Sequence, residues 1–134
     1  MTPPAEADLA TTYRAYIDCL NRRDWGSLDR FVVGDARHNG RPLGVAGYRA
    51  MLEQDVREIP DLRFSIQLLV VEPPLVAARL AFDCTPGGAF LGLPVDGRRV
   101  RFAENVIYRF HAGRIAEVWS VIDKAAIEAQ LASG

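Results

Sequence analysis

The sequence predicts an α+β fold, with helices first and then a meander of antiparallel strands that the helices cover on one face. Three observations predict it. Apolar residues recur at helical spacing up to Ile59. Beyond Pro60 the apolar period shortens to that of strands, and Gly and Pro punctuate the segments. Residues 102–110 and 114–122 then read as a hairpin around the turn His111-Ala112-Gly113. A curved antiparallel sheet with N-terminal helices on one face leaves a cone-shaped hollow, suited to one small apolar or aromatic ligand.

Each element follows from local pattern. From residue 6 to about 21, Leu9, Tyr13, Tyr16, Ile17 and Leu20 share a helix face. Asp24 can cap a second short helix carrying Trp25, Leu28, Phe31 and Val32, which Gly34 ends. A short strand at 36–38 meets the turn Asn39-Gly40. The next helix, from about 45 to 58, has Tyr48, Met51, Leu52, Val56 and Ile59 apolar. Arg49, Glu53 and Arg57 form its solvated face at i, i+4 steps. Pro60-Asp61 stops it. Strands are predicted at 62–72 and 75–84, with Pro73-Pro74 at the bend between them. Residues 85–97, rich in Gly and Pro, predict a long loop with Phe90 and Leu91 exposed or folded inward. A closing helix after Asp123 has Ile127 and Leu131 on one side. No repeat or linker interrupts this order, so residues 1–134 are expected to form a single domain.

Composition narrows the function classes. Of 134 residues, 49% are hydrophobic and 25% charged, which is ordinary for a soluble globular protein. Sixteen basic and seventeen acidic residues leave a net charge of −1, which argues against nucleic acid or an anionic membrane as the main partner. It also leaves self-association unopposed, and a homodimer through the open sheet face is expected. Cys19 and Cys84 form no paired motif, so a reducing cytoplasm is the simplest location. The N-terminus lacks a basic start and an apolar signal run. No apolar stretch approaches the roughly 20 residues that span a bilayer.

The hairpin carries the chemistry. Folded about its turn, it sets Val106 opposite Val118 and Glu104 opposite Ser120. Alternation then puts Phe102, Glu104, Val106, Tyr108, Val118, Ser120 and Ile122 on one face. A carboxylate in such an apolar wall is costly unless partnered, and it suits proton chemistry. Glu104 is therefore the candidate base, and Ser120 a candidate donor to a substrate oxygen. The plain alternatives are a carboxylate paired with Arg79 or a tyrosine, and a serine that only lines the wall. Trp119 and Asp123 fall on the other face, with Asn105 and Arg101 as cross-strand partners. Asp123 is either a rim acid or the cap of the last helix, and Trp119 either a ligand contact or a subunit interface. His38 can orient a carbonyl at the cavity mouth, while Asn39 is a turn residue. Tyr13, Tyr16 and Tyr48 have core spacing, with one hydroxyl reaching the ligand. Two separated histidines make no metal site.

Four segments carry a family likeness: Asn21-Arg22-Arg23-Asp24-Trp25, Ile59-Pro60-Asp61-Leu62, Gly88-Ala89-Phe90-Leu91-Gly92-Leu93-Pro94 with Gly97-Arg98, and Gly113-Arg114-Ile115-Ala116-Glu117-Val118-Trp119. They resemble the SnoaL-like polyketide cyclases, or ester cyclases, of the nuclear transport factor 2-like superfamily, over residues 13–131. The resemblance implies a cone-shaped α+β barrel. For the cyclases it also implies a His and an acid/base Asp on the last strand, facing a Gln and a His. Those positions fall here on Val118, Ser120, Glu104 and Val106, so a polar pair remains only at Glu104 and Ser120. Pro86 stands where the family often has His, and Val95-Asp96 replaces Pro-Thr before Gly97.

The function expected is cofactor-free and metal-free general acid/base catalysis on a polyketide-derived or polycyclic ketone. Glu104, Ser120 and Asp123 are the catalytic candidates. Tyr13, Tyr16, His38, Phe102, Val106, Tyr108, Val118 and Trp119 are the substrate-binding candidates. The alternatives are a non-catalytic ligand-binding or dimerisation module, and a cofactor-free hydroxylase such as the resemblance to anthracycline-pathway relatives implies.

Overall fold

The computed structural model describes residues 8–133. Helix α1 (Leu9–Asn21) buries Leu9, Tyr13, Tyr16, Ile17 and Leu20, the stripe its spacing predicts. Its predicted start at Glu6 lies outside the described residues. A 3-10 helix, Trp25–Arg30, follows, with Asp24 at its cap position but making no side-chain cap bond. Strand β1 (Val32–His38) is longer than predicted and contains Gly34, which was expected to end a helix. The strand bulges between Val32 and Arg37, and this irregularity hides its period in the sequence. Helix α2 (Gly44–Glu58) buries Tyr48 and Leu52. Gly44 has φ +66, and a Cβ there would stand 2.9 Å from the Gly34 carbonyl oxygen, so α2 approaches β1 only with glycine at this position.

Strands β2 (Ser65–Glu72) and β3 (Leu75–Cys84) pair antiparallel across the Pro73-Pro74 bend. The predicted loop at 85–97 instead folds into a small hairpin of β4 (Ala89–Phe90) and β5 (Leu93–Pro94). Leu91 and Gly92 turn it, both at positive φ, as a two-residue hairpin turn requires. Strands β6 (Val100–His111) and β7 (Arg114–Ile122) and helix α3 (Lys124–Ala132) complete the chain. The main sheet runs β1-β7-β6-β3-β2, with β1 parallel to β7 and the other pairs antiparallel. It is curved but not closed into a barrel, since β1 and β2 remain edges.

The β6–β7 register differs from the one the sequence suggests. Ala112 and Gly113, both at positive φ, make a two-residue turn, and a bulge follows between Arg109 and Phe110. Val106 therefore pairs with Ser120, Tyr108 with Val118 and Glu104 with Ile122. Trp119 pairs with Ile107, and Asn105 with Val121. Up to that bulge the displacement is two residues, so Glu104, Val106, Tyr108, Val118, Ser120 and Ile122 keep their predicted face. Beyond it Phe110 pairs with the fully buried Ile115. The core lies between this inner face and the helices, and includes Tyr13, Leu20, Tyr48, Leu80, Val106 and Val118.

Side-chain clamps fix the strand ends. Asn21 at the end of α1 accepts from the Phe64 amide (2.7 Å) and donates to the Phe64 carbonyl (2.9 Å), holding the entry to β2. Cys19 and Cys84 are buried and unbridged. Among the described residues, no helix is long and apolar enough to cross a membrane.

Candidate active site

The sheet's inner face and the helices enclose a cavity of about 400 Å³. Glu104 and Val106 from β6, Val118 and Ser120 from β7, Tyr16 from α1 and Tyr48 from α2 line it. A smaller hollow of about 70 Å³ shares Asp55, Phe64, Glu104 and Ile122 with it, and Phe82, Phe90 and Phe102 form its aromatic wall. Phe82 and Phe102 stack with centroids 5.2 Å apart, and Phe90 lies 5.5 Å from Phe102. Phe90 thus folds inward, whereas Leu91 is exposed at the edge of the main cavity. A larger groove of about 550 Å³ runs over the surface side chains Arg63 and Arg101 and reaches none of the hairpin's polar pair.

Glu104 stands between the two hollows. Burial pushes its carboxyl above the usual range, and the hydrogen bond from the Ser120 hydroxyl partly opposes that rise. Arg79 does not pair with it. That side chain lies on the outer face and donates to Gln67 (2.8 Å) and Asn105 (3.0 Å). The tyrosines bond one another instead of the carboxylate. Tyr13 donates to Tyr108 (3.0 Å), and the Tyr16 and Tyr48 hydroxyls lie 2.6 Å apart. Burial raises the pKa of all four phenols, so they act as donors and not as bases near neutral pH.

His38 lines the same cavity with its buried Nδ1 unpartnered. Burial, reinforced by Arg41, lowers its pKa and so favours the neutral ring. Asn39 does more than turn the chain. Its side chain accepts from the Ser120 amide (2.8 Å) and donates to the Ser120 carbonyl (3.2 Å), which fixes the serine beside Glu104.

The predicted site residues divide accordingly. Glu104, Ser120, Tyr16, His38, Val106, Tyr108 and Val118 converge on the main cavity, and Phe102 on the smaller hollow. Tyr13 is fully buried one layer behind Tyr108. Trp119 is 42% exposed on the outer sheet face, away from the cavity. Asp123 caps α3, accepting from the Ala126 amide (3.2 Å), and is not brought to Glu104. Sequence reasoning missed Asp55 and Lys124, which also line the cavity. The signal for Asp55 was present, because it lies seven residues after Tyr48 on the inner stripe of α2. Lys124 carries no such signal.

An open, curved sheet with N-terminal helices covering one face is the nuclear transport factor 2-like fold. Residues 10–131 match the SnoaL-like polyketide cyclase family, and the chain belongs to that family. The structure is similar to a SnoaL-like polyketide cyclase from Agrobacterium tumefaciens, with 52% identity over 92% of this chain and 97% of that one, and a TM-score of 0.91. IdmH from Streptomyces antibioticus, a proposed polyketide cyclase, shares the fold at 24% identity and TM-score 0.79, over 92% of this chain and 98% of that one. AclR from Streptomyces galilaeus, a proposed hydroxylase, shares it at 22% identity and TM-score 0.75, over 96% and 98%. No curated protein matches the sequence closely enough to add an activity.

Proposed function

We propose that the protein is a cofactor-free acid/base enzyme acting on a polycyclic or polyketide-derived ketone, with Glu104 as base. One observation carries this reading. A carboxylate of raised basicity, held by a neutral hydroxyl and in no ion pair among the described residues, borders a mostly apolar cavity large enough for a small ring system. Tyr108 receives its hydrogen bond from Tyr13, which leaves its own hydroxyl hydrogen free for a substrate oxygen. The His38 ring adds a polar edge to the lining, and Val106 and Val118 supply apolar walls.

The test is Glu104→Gln, which keeps shape and removes the base. Turnover of a cyclic ketone should fall about 10²–10⁴-fold with the fold intact by circular dichroism. Unchanged turnover removes Glu104 from the mechanism. The second reading is a ligand-binding module without catalysis, favoured by valine at 106 and 118, where the family resemblance implies histidine. Binding of the ketone without turnover would select it. Self-association through the outer sheet face belongs to this proposal too, supported by the exposed Leu68, Val70, Ile107, Trp119 and Val121.

A further inference from the structure

The main cavity holds a second carboxyl group. Asp55 lies on the inner stripe of α2, seven residues after Tyr48 and three after Leu52, both buried. At about 100° per residue those steps keep the three side chains on one side of the helix. Asp55 lines both hollows, as Glu104 does, and no hydrogen bond or ion pair to its carboxylate is present among the described residues. His38 lines the same cavity, but its Nδ1 is buried within the protein and does not open onto it.

We propose that Asp55 is the acid partner of Glu104, holding the proton that a bound carbonyl oxygen receives while Glu104 removes one from the adjacent carbon. This rests on the acid/base reading above. In the step, the C–H bond breaks toward a Glu104 oxygen, and its electron pair forms the carbon–carbon double bond. The carbonyl π pair moves to oxygen, which takes the Asp55 proton. The cavity then holds an enol, a neutral Glu104 and an ionised Asp55. Return of the Glu104 proton to the α-carbon, or to the γ-carbon where the enol is conjugated with a further double bond, with the enol proton going back to Asp55, resets both groups.

Asymmetry of surroundings decides which carboxyl keeps the proton. Ser120 donates to Glu104 and favours its ionised form, whereas Asp55 has no donor. Burial pushes the Asp55 carboxyl up to about 6, and the charges of Glu104 on β6 and Glu58 on its own helix act in the same direction. The other titratable groups facing the cavity are His38 from β1, Lys124 from the start of α3 and the phenols of Tyr16, Tyr48 and Tyr108. The β2–β3 side presents only Phe64 and Leu80.

Carbon-13 NMR of the side-chain carboxyls tests the pairing without any substrate. Asp55 should titrate at about 6 in the wild type. In Glu104→Gln it should move down, while burial keeps it above the ordinary carboxylate value of about 4. Hydrogen–deuterium exchange at the α-carbons of 2-tetralone, a bicyclic ketone probe, tests the role. Asp55→Asn, which is isosteric, should slow exchange about 10²-fold and remove its decline at alkaline pH. An Asp55 that titrates in the ordinary range whatever occupies position 104 overturns the proposal. So does full exchange in Asp55→Asn when Glu104→Gln has lost it, an outcome that leaves Glu104 as base. If the wild type exchanges nothing, the acid/base reading falls, and the titration alone supports or overturns the pairing.

Discussion

At the scale of single residues, the site depends on how a carboxylate is kept usable in apolar surroundings. A cation beside Glu104 would lower its basicity, whereas the Ser120 hydroxyl stabilises the ionised form without adding charge. Ser120→Ala removes that donor, so the Glu104 carboxyl should rise further and the acid limb of the pH–rate profile should move to higher pH. A profile that does not move would separate the serine from the base. Stability should also follow these groups. Asp55 and Glu104 both bind protons more tightly in the folded state than in the unfolded chain. Their contribution is present in full below about pH 4, the unfolded value. For Asp55 it is lost as pH rises through about 6. Asp55→Asn should therefore gain stability over the wild type at pH 8 and gain less at pH 4, measured as urea midpoints. Equal gains at both values would show that Asp55 has an ordinary pKa.

At the scale of elements, the junction of β1 and β7 decides whether the polar pair is assembled. β1 is an edge strand with a bulge, and its regular pairing with β7 covers little beyond Arg37 and His38. Asn39 extends that pairing with its side chain, and its own amide donates to the Val118 carbonyl (2.8 Å). It has φ +49, so Asn39→Gly keeps the backbone conformation and removes only the amide clamp. The variant should lose about 1 kcal/mol of stability. Its exchange activity should fall with it, because Ser120 is no longer held in register. An unchanged urea midpoint would show that water replaces the clamp.

At the scale of the whole molecule, the two faces of the sheet have different work. The inner face carries the cavity, and the outer face presents Val121, Val70 and Leu68 at 69%, 64% and 61% exposure beside Trp119 and Ile107. A group of large apolar side chains in one place is what an association surface requires. A net charge of −1 opposes association little. Val121→Glu with Trp119→Lys should give a monomer in sedimentation velocity while leaving the cavity intact. A wild type that sediments as a monomer at high concentration would remove the self-association proposal.

The sequence by itself determined α1, α2 and α3, the hairpin and the face of its site residues, because periods of 3.6 and 2 are local properties of the chain, whereas the helix expected to end at Gly34 is a 3-10 helix followed by β1. That face assignment held even though the register moved, since a two-residue displacement preserves alternation. Tertiary structure alone decided the rest. Which strands are neighbours, the parallel pairing of β1 with β7 and the inward fold of Phe90 all depend on residues far apart in the chain. Asp55 shows the boundary between the two. Its place on an apolar stripe could be read from helical spacing, but its sharing a cavity with Glu104 required α2 to dock on β1, across the hollow from β6. A local pattern says which way a side chain points and not what it will face.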